Sequence, residues 1–332
     1  MIVTHANHLV ALGHDVSITS AVIDTIFTLD SRISINQLST KTKLGTILGA
    51  IINYIDADLI IADIIPMACF LFPRCRRKVV YFAQDYDEAY YASPLLTGFI
   101  RLFYLVGLNI LHIPTIAVSH RLANLLRKRF NSAVYVAENG IDTKVFYPDP
   151  DPELVASKVV SKAVLLLSRN DQRKGFDIAC GVIDRLRETH KNMFEVWTVG
   201  EKCTGFFDGV VHRDFGYVEE ERLRQIMSSA DLFLYPTRHE GFGLMPLEAL
   251  ACRCPVVTTA AVAFVSHLEN ALVAEIENVK QITDLTELAL TDSAIVEHIT
   301  SQGLCTAKKL TLAQTVEQFV SAITTINGRV HS

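Results

Sequence analysis

The sequence predicts an α/β fold, built twice from parallel sheets. Three observations carry this. Short apolar, β-branched runs recur along the 332 residues, helical patterns lie between them, and a proline-rich stretch at 148–153 divides the series in two. The runs are continuous in hydrophobicity rather than alternating, which marks strands covered on both faces. Helices between such strands supply the cover.

In the first half the expected strands are DVSITS (15–20), ADLIIAD (57–63), KVVYFAQD (78–85), TIAVS (115–119) and AVYVAENG (133–140), with a helix over 119–131. The second half repeats the plan with KAVLLLS (162–168), FEVWTVG (194–200), DLFLYPT (231–237) and PVVTT (255–259). Its helices are expected near 174–190, 219–230 and 244–253. Pro148, Pro150 and Pro152 suit neither a helix interior nor a central strand, so 148–153 is read as a linker. The expected organisation is a Rossmann-like domain over 1–147, a second over 154–308, and a C-terminal helix over 309–332. Ligands of such doubly wound sheets bind beyond the carboxyl ends of the strands. Two of them facing across a cleft put the function there.

Bulk properties narrow the function. Half the residues are hydrophobic and 20% are charged, enough apolar content for two cores. The net charge of −5, with no Lys/Arg stripe, argues against nucleic acid as a partner. Seven scattered cysteines, among them a lone Cys252-Arg253-Cys254, fit a reducing cytoplasm better than a disulfide framework or a metal site. The opening residues carry histidines and no long apolar core, unlike a secretory signal. The most apolar stretch, 95–113, is interrupted by Arg101, Asn109 and His112, and is expected as a buried or partly interfacial helix rather than a membrane span.

Chemistry concentrates in two segments. In RHEGFGLMPLEALACRCPVV (238–257), a loop follows the strand and a helix starts near Leu244, with Pro246 tolerated in its first turn. The free N–H groups and helix dipole of such a turn suit a phosphate. Glu248, one turn into the helix, is placed to accept hydrogen bonds from a ribose diol. Glu240, before the turn, is placed for a second polyol. A plain helix start with acidic residues stabilised by the dipole explains this segment equally well on its own. In LLLSRNDQRKGFDIA (165–179), the strand ends at Ser168, Arg169 and Lys174 bracket a polar loop, and Gly175 opens the next helix. Two cations at a strand's carboxyl end neutralise a diphosphate, each charge-assisted hydrogen bond contributing roughly 1.5–3 kcal/mol. Arg173 is read as a solvated third cation.

Together these segments resemble the retaining glycosyltransferases of the GT-B fold, family 4 (glycosyl transferases group 1). Glu240 and Glu248 match the family's E-x7-E, and Arg169 with Lys174-Gly175 match its Arg…Lys-Gly pair. NGIDTKVFYP (139–148) is similar to its interdomain segment, and GYVEEERLRQIMSSADLFLYPT (216–237) to the segment whose start borders the nucleobase. YFAQDYDEAYY (81–91) more weakly resembles a rhamnosyltransferase-like subgroup acting on bacterial surface polysaccharides.

The resemblance implies that Arg169 and Lys174 hold the diphosphate, Glu248 the ribose and Glu240 the donor sugar. It implies that Gly241, Phe242, Gly243 and Leu244 offer backbone to phosphate and sugar, and that Gly216, Tyr217 and Val218 border the base. The reaction implied is transfer from a nucleotide sugar to a glycan or lipid-linked acceptor with retention, without a metal or other cofactor. The location implied is cytoplasmic, at or near the inner face of the membrane.

The chain departs from the family pattern in three ways. It opens at what resembles the family's first helix, so the first strand and its Gly-rich loop are expected to be missing, leaving exposed sheet edges. Arg253 stands where the family has glycine, and the stretch 258–272 is a few residues short. Gln84-Asp85-Tyr86-Asp87 replaces a histidine, and Asp85 and Asp87 are acceptor-side candidates. Their D-x-D spacing recurs at 56–58 and 149–151, so it carries little weight for manganese. His5, His8 and His14 are expected to be solvated or capping, and the basic segment 124–130 to be a solvated face or a peripheral membrane contact. The alternative to an enzyme is a truncated, non-catalytic GT-B protein that binds nucleotide or protein partners.

Overall fold

The structure is a computed structural model that describes residues 1–22, 28–40, 42–52, 57–75, 78–91, 93–130, 132–190, 192–203 and 205–330. It divides into two compact units, Met1–Asn139 with Gln314–Ser332, and Gly140–Ala313.

The first unit holds two parallel sheets. β1 (Ser17–Ser20) pairs with β2 (Ser34–Gln37). β3 (Ile60–Ala62), β4 (Val79–Ala83), β5 (Thr115–Ala117) and β6 (Val134–Val136) form the other in that order. β4 is wholly buried, as its apolar run requires. β2 was not legible: Ser-Ile-Asn-Gln is polar and largely exposed, with no apolar run to announce it. Among the described residues β1 and β3 each pair on one side only. The C-terminal helix Leu312–Val330 belongs here: Phe319 meets the Phe82 ring at 5.3 Å and stacks on His5 at 3.9 Å. His5 is therefore buried, not solvated, and neither ring nitrogen has a hydrogen-bond partner among the described residues.

In the second unit all six strands are parallel: β7 (Lys162–Ser168), β8 (Phe194–Gly200), β9 (His212–Asp214), β10 (Leu232–Tyr235), β11 (Val256–Thr259) and β12 (Leu272–Ala274). Their order in space is β12-β11-β10-β7-β8-β9. The chain runs outward from β7 to β9, then returns to the other side of β7 at β10. The direction of winding thus reverses between β7 and β10, which opens a crevice at the carboxyl ends of those two strands. One face of the sheet, with Val164, Leu166, Val196 and Leu234, packs on Ile178, Val182 and Ile282 of the helices Phe176–His190 and Val279–Thr291. β9 and β12 have only three residues each and escaped the sequence reading.

The units divide at Asn139/Gly140 rather than within 148–153. The proline stretch is tied to the second unit by its own hydrogen bonds. Asp149 and Asp151 donate backbone N–H to the Ser228 and Ser229 hydroxyls, and their carboxylates pair with Arg224 and Arg222. Pro152 then opens a short helix, Pro152–Ala156, capped by Asp151.

Candidate active site

β7 and β10 are hydrogen-bonded neighbours, so the loops leaving their carboxyl ends start side by side. The loop after β7 turns at Asp171, whose carboxylate accepts the Arg173 N–H and also pairs with the Arg173 guanidinium at 2.6 Å. Arg173 is thus held, not solvated. The loop closes at Gly175, with φ +72°. A Cβ there would lie 2.0 Å from the Pro236 carbonyl oxygen, so a glycine is what lets the two loops touch. The Arg173 carbonyl accepts from the Thr237 hydroxyl at 2.8 Å and the Arg238 N–H at 2.7 Å, clasping one loop to the other.

This clasp delivers Lys174 to Glu240, Nζ to Oε1 at 2.8 Å. The same Oε1 accepts the Tyr235 hydroxyl at 2.6 Å. The Thr237 hydroxyl lies 3.2 Å away, but its single proton serves the nearer Arg173 carbonyl. Tyr235 is buried, and its hydroxyl is held well above the usual value by burial and by the Glu240 charge, with Arg169 pulling the other way. Arg169 is exposed and makes no hydrogen bond or ion pair with the described residues. Of the two expected cations, Lys174 is neutralised by a carboxylate and Arg169 is open.

Beyond Glu240 the chain passes through Gly241 and buried Phe242 to Gly243, at φ +105°. A Cβ on Gly243 would meet Val262 at 2.9 Å. Gly243 caps the helix Leu244–Ala251 without a side-chain hydrogen bond, so the first-turn N–H groups are left to the backbone's own geometry. Glu248 keeps part of its surface accessible while its carboxyl sits among protein atoms. Burial, and then the charge of Glu220, push it up to about 7. Gly216 follows β9, at φ +64°; its carbonyl accepts the Gly200 N–H at the end of β8. Tyr217 beside it is 80% exposed. Arg169, Lys174, Glu240, the turn 241–244, Glu248 and Gly216–Val218 therefore all lie in one unit, and most of them leave the carboxyl ends of its strands.

Asp85 and Asp87 lie in the other unit, past the end of β4. Asp85 accepts from the Tyr86 N–H at 2.8 Å and the Tyr90 hydroxyl at 2.9 Å. Asp87 accepts the Ile65 N–H at the start of the helix Ile65–Leu71; burial, and then Asp85, push its carboxyl up to about 7. Among the described residues no group of three His, Cys, Asp or Glu side chains is placed to hold a metal ion. Asp56, part of one D-x-D match, lies outside the described residues. Cys252 and Cys254 are buried thiols. The sequence reading missed Tyr235 and Glu220. Tyr235's signal was a hydroxyl ending an otherwise apolar strand just before the loop; Glu220 carried none.

Residues 161–292 match the family described as Glycosyl transferases group 1. An O-antigen chain mannosyltransferase B from Escherichia coli is 34% identical over 111 residues, 33% of this chain and 29% of that protein. The chain spans less than half the length of the curated relatives it matches first. In fold it is similar to a sucrose-phosphate synthase from Thermosynechococcus elongatus, with a TM-score of 0.82 at 16% identity over 98% of this chain and 92% of that one. It is also similar to Anabaena HepE in complex with UDP-glucose, with a TM-score of 0.71 at 18% identity over 89% and 86% of the two chains. The chain has the GT-B fold, and its stretch 161–292 matches the glycosyl transferases group 1 family.

Proposed function

We propose that this chain is a retaining glycosyltransferase that moves a sugar from a nucleoside diphosphate sugar to a glycan or lipid-linked saccharide acceptor. The observation that carries the reading is the Lys174–Glu240–Tyr235 cluster, set beside Arg169 where the winding of the sheet reverses. The diphosphate lies between Arg169, Lys174 and the backbone of 241–244. As Lys174 turns to the phosphate, Glu240 keeps the hydrogen bond from the Tyr235 hydroxyl and presents its carboxylate to the sugar hydroxyls. Glu248 accepts from the ribose diol, and Gly216–Val218 border the base.

In the transfer, the bond between the anomeric carbon and the diphosphate oxygen breaks, and its electron pair goes to the diphosphate. The acceptor oxygen bonds the same face of the carbon and gives its proton to the departing phosphate. The charge that builds on the diphosphate meets Arg169 and Lys174, both already on the bound donor's phosphates, so the reading calls for no metal. A mannosyltransferase relative and a neighbour holding UDP-glucose support a hexose donor. The reducing cytoplasm, at or near the membrane, is the compartment of this reading.

One observation favours a second reading, nucleotide binding without turnover: among the described residues the two sheets of the first unit are not joined. Thermal-shift and titration measurements with UDP-, GDP-, ADP- and dTDP-sugars, each checked for released nucleoside diphosphate, separate the two. One donor is expected to bind and release its nucleotide; binding without release would favour the second reading. Lys174→Ala and Glu248→Ala are expected to weaken binding about 10- to 100-fold, the worth of one charge-assisted hydrogen bond, with Asp85→Ala unchanged. Equal affinity in all three variants would overturn the site.

A further inference from the structure

Arg238 stands two residues before Glu240, on the loop that leaves β10. Its guanidinium directs four N–H groups at three different segments. Nη1 donates to the Gln172 carbonyl at 2.6 Å and to Asp177 Oδ1 at 2.7 Å. Nη2 donates to Asp177 Oδ2 at 2.7 Å, which completes a two-point fork on that carboxylate. Nε donates to Glu277 Oε1 at 2.8 Å.

The placement of these partners is what matters. Gln172 lies two residues before Lys174. Asp177 lies three residues after it, in the first turn of the helix Phe176–His190. One side chain therefore grips the Lys174-Gly175 turn from both sides, and does so from the strand end that carries Glu240. Glu277 follows β12 and precedes Asn278, the cap of the helix Val279–Thr291. Its φ is +65°, a conformation a glutamate keeps only when its surroundings hold it. The Arg238 fork holds the Asp177 carboxyl below its usual value, so the pair stays charged at neutral pH. The side chains of Asp177 and Glu277 are 60% and 64% exposed, and ion pairs so open to water add little stability. What a planar, two-point guanidinium supplies there is geometry, which a lysine ammonium does not.

We propose that Arg238 is the positioning residue of this site: its guanidinium fixes the loops after β7, β10 and β12 so that Lys174 and Glu240 stand ready for the donor. The consequence for transfer rests on the glycosyltransferase reading; the effect on the Lys174–Glu240 pair does not. Labelling of the whole chain with acetic anhydride, followed by mass spectrometry, reads that pair without any donor, because an amine held by a carboxylate reacts slowly. Arg238→Met is expected to speed labelling of Lys174 by on the order of tenfold, the worth of one hydrogen bond, relative to Lys162 at the opposite end of β7. Arg238→Lys keeps the charge but not the fork and is expected to leave most of that increase. Asp177→Asn removes one arm and is expected to give a smaller increase; should Arg238→Met fail to fold, this variant decides. With the preferred nucleotide sugar, Arg238→Met is expected to lose about tenfold in affinity and to fall in kcat as well, because the charge that meets Lys174 grows as the bond breaks. Wild-type labelling of Lys174 in both Arg238→Met and Asp177→Asn, or full restoration by Arg238→Lys, would overturn the proposal. So would a lowered melting temperature with labelling and kcat unchanged, which would leave Arg238 a stabilising residue only. A wild type that neither binds nor releases any nucleotide sugar would defeat the glycosyltransferase reading and leave the labelling to decide this one.

Discussion

Gly175→Ala tests the clasp that assembles the site. Gly175 has φ +72°, and an added Cβ would sit 2.0 Å from the Pro236 carbonyl oxygen, where real contacts of this kind do not fall below 3.0 Å. The left-handed conformation costs an alanine about 1–2 kcal/mol. The overlap is relieved only by parting the two loops by about 1 Å, which stretches the 2.8 Å Lys174–Glu240 bond beyond hydrogen-bonding reach and forfeits roughly 1.5–3 kcal/mol. The sum, about 2.5–5 kcal/mol, is expected to lower the melting temperature by roughly 10 °C for a domain of this size. Calorimetry reads this loss, and titration with the preferred nucleotide sugar is expected to show weakened binding alongside it. Gly181→Ala is the control: it lies within the helix Phe176–His190, nothing stands within 4 Å of its Cβ, and it is expected to stabilise by about 0.5–1 kcal/mol. A Gly175→Ala protein with wild-type melting and donor affinity would refute the reasoning.

Other expectations follow from the same geometry. Tyr235→Phe removes the 2.6 Å hydrogen bond to Glu240 and is expected to cost about 1 kcal/mol of stability and to weaken nucleotide-sugar binding several-fold while barely changing affinity for the nucleoside diphosphate alone; equal losses for both ligands in paired titrations would contradict the positioning role. The Glu248 carboxyl sits at about 7 against an ordinary 4.5, so the folded state holds its proton more tightly and the stability this contributes is lost as pH rises from about 4.5 through about 7. Donor affinity is expected to rise over the same window as the carboxylate forms, and Glu248→Gln is expected to flatten the stability trend in urea titrations. His5, buried and held down to about 4, has a folded value below its unfolded one, so stability is lost as pH falls from about 6.5 to about 4. His5→Phe, which keeps the stack on Phe319, is expected to remove that acid sensitivity in pH-dependent melting; an unchanged acid profile would assign the effect elsewhere.

Much of the fold was legible because its strands are buried on both faces. KAVLLLS, FEVWTVG and KVVYFAQD announce themselves by continuous hydrophobicity, and the structure places strands within each. What lacked that signal was missed: polar β2, and the short strands β9 and β12, whose pairing is decided by neighbours distant in sequence. The division between units was misjudged for a related reason. Prolines mark where regular structure breaks, but Asp149 and Asp151 choose sides through Ser228, Ser229, Arg222 and Arg224, contacts that no local pattern reveals. The candidate site was legible where residue type and spacing suffice, as with Lys174, Glu240 and Glu248. That Lys174 and Glu240 bond each other, across 66 positions of sequence, follows from the adjacency of β7 and β10 and from the close approach at Gly175. His5 was misread because a histidine's burial depends on the aromatic residues that tertiary structure brings to it, here Phe82 and Phe319.

The most direct measurement is a crystal structure of the chain with its preferred nucleotide sugar or nucleoside diphosphate. The expected result is a diphosphate within hydrogen-bonding distance of Arg169, Lys174 and the 241–244 backbone, with the ribose on Glu248 and Glu240 released from Lys174. A nucleotide bound elsewhere, with the 2.8 Å Lys174–Glu240 pair intact and the turn unfilled, would contradict the account.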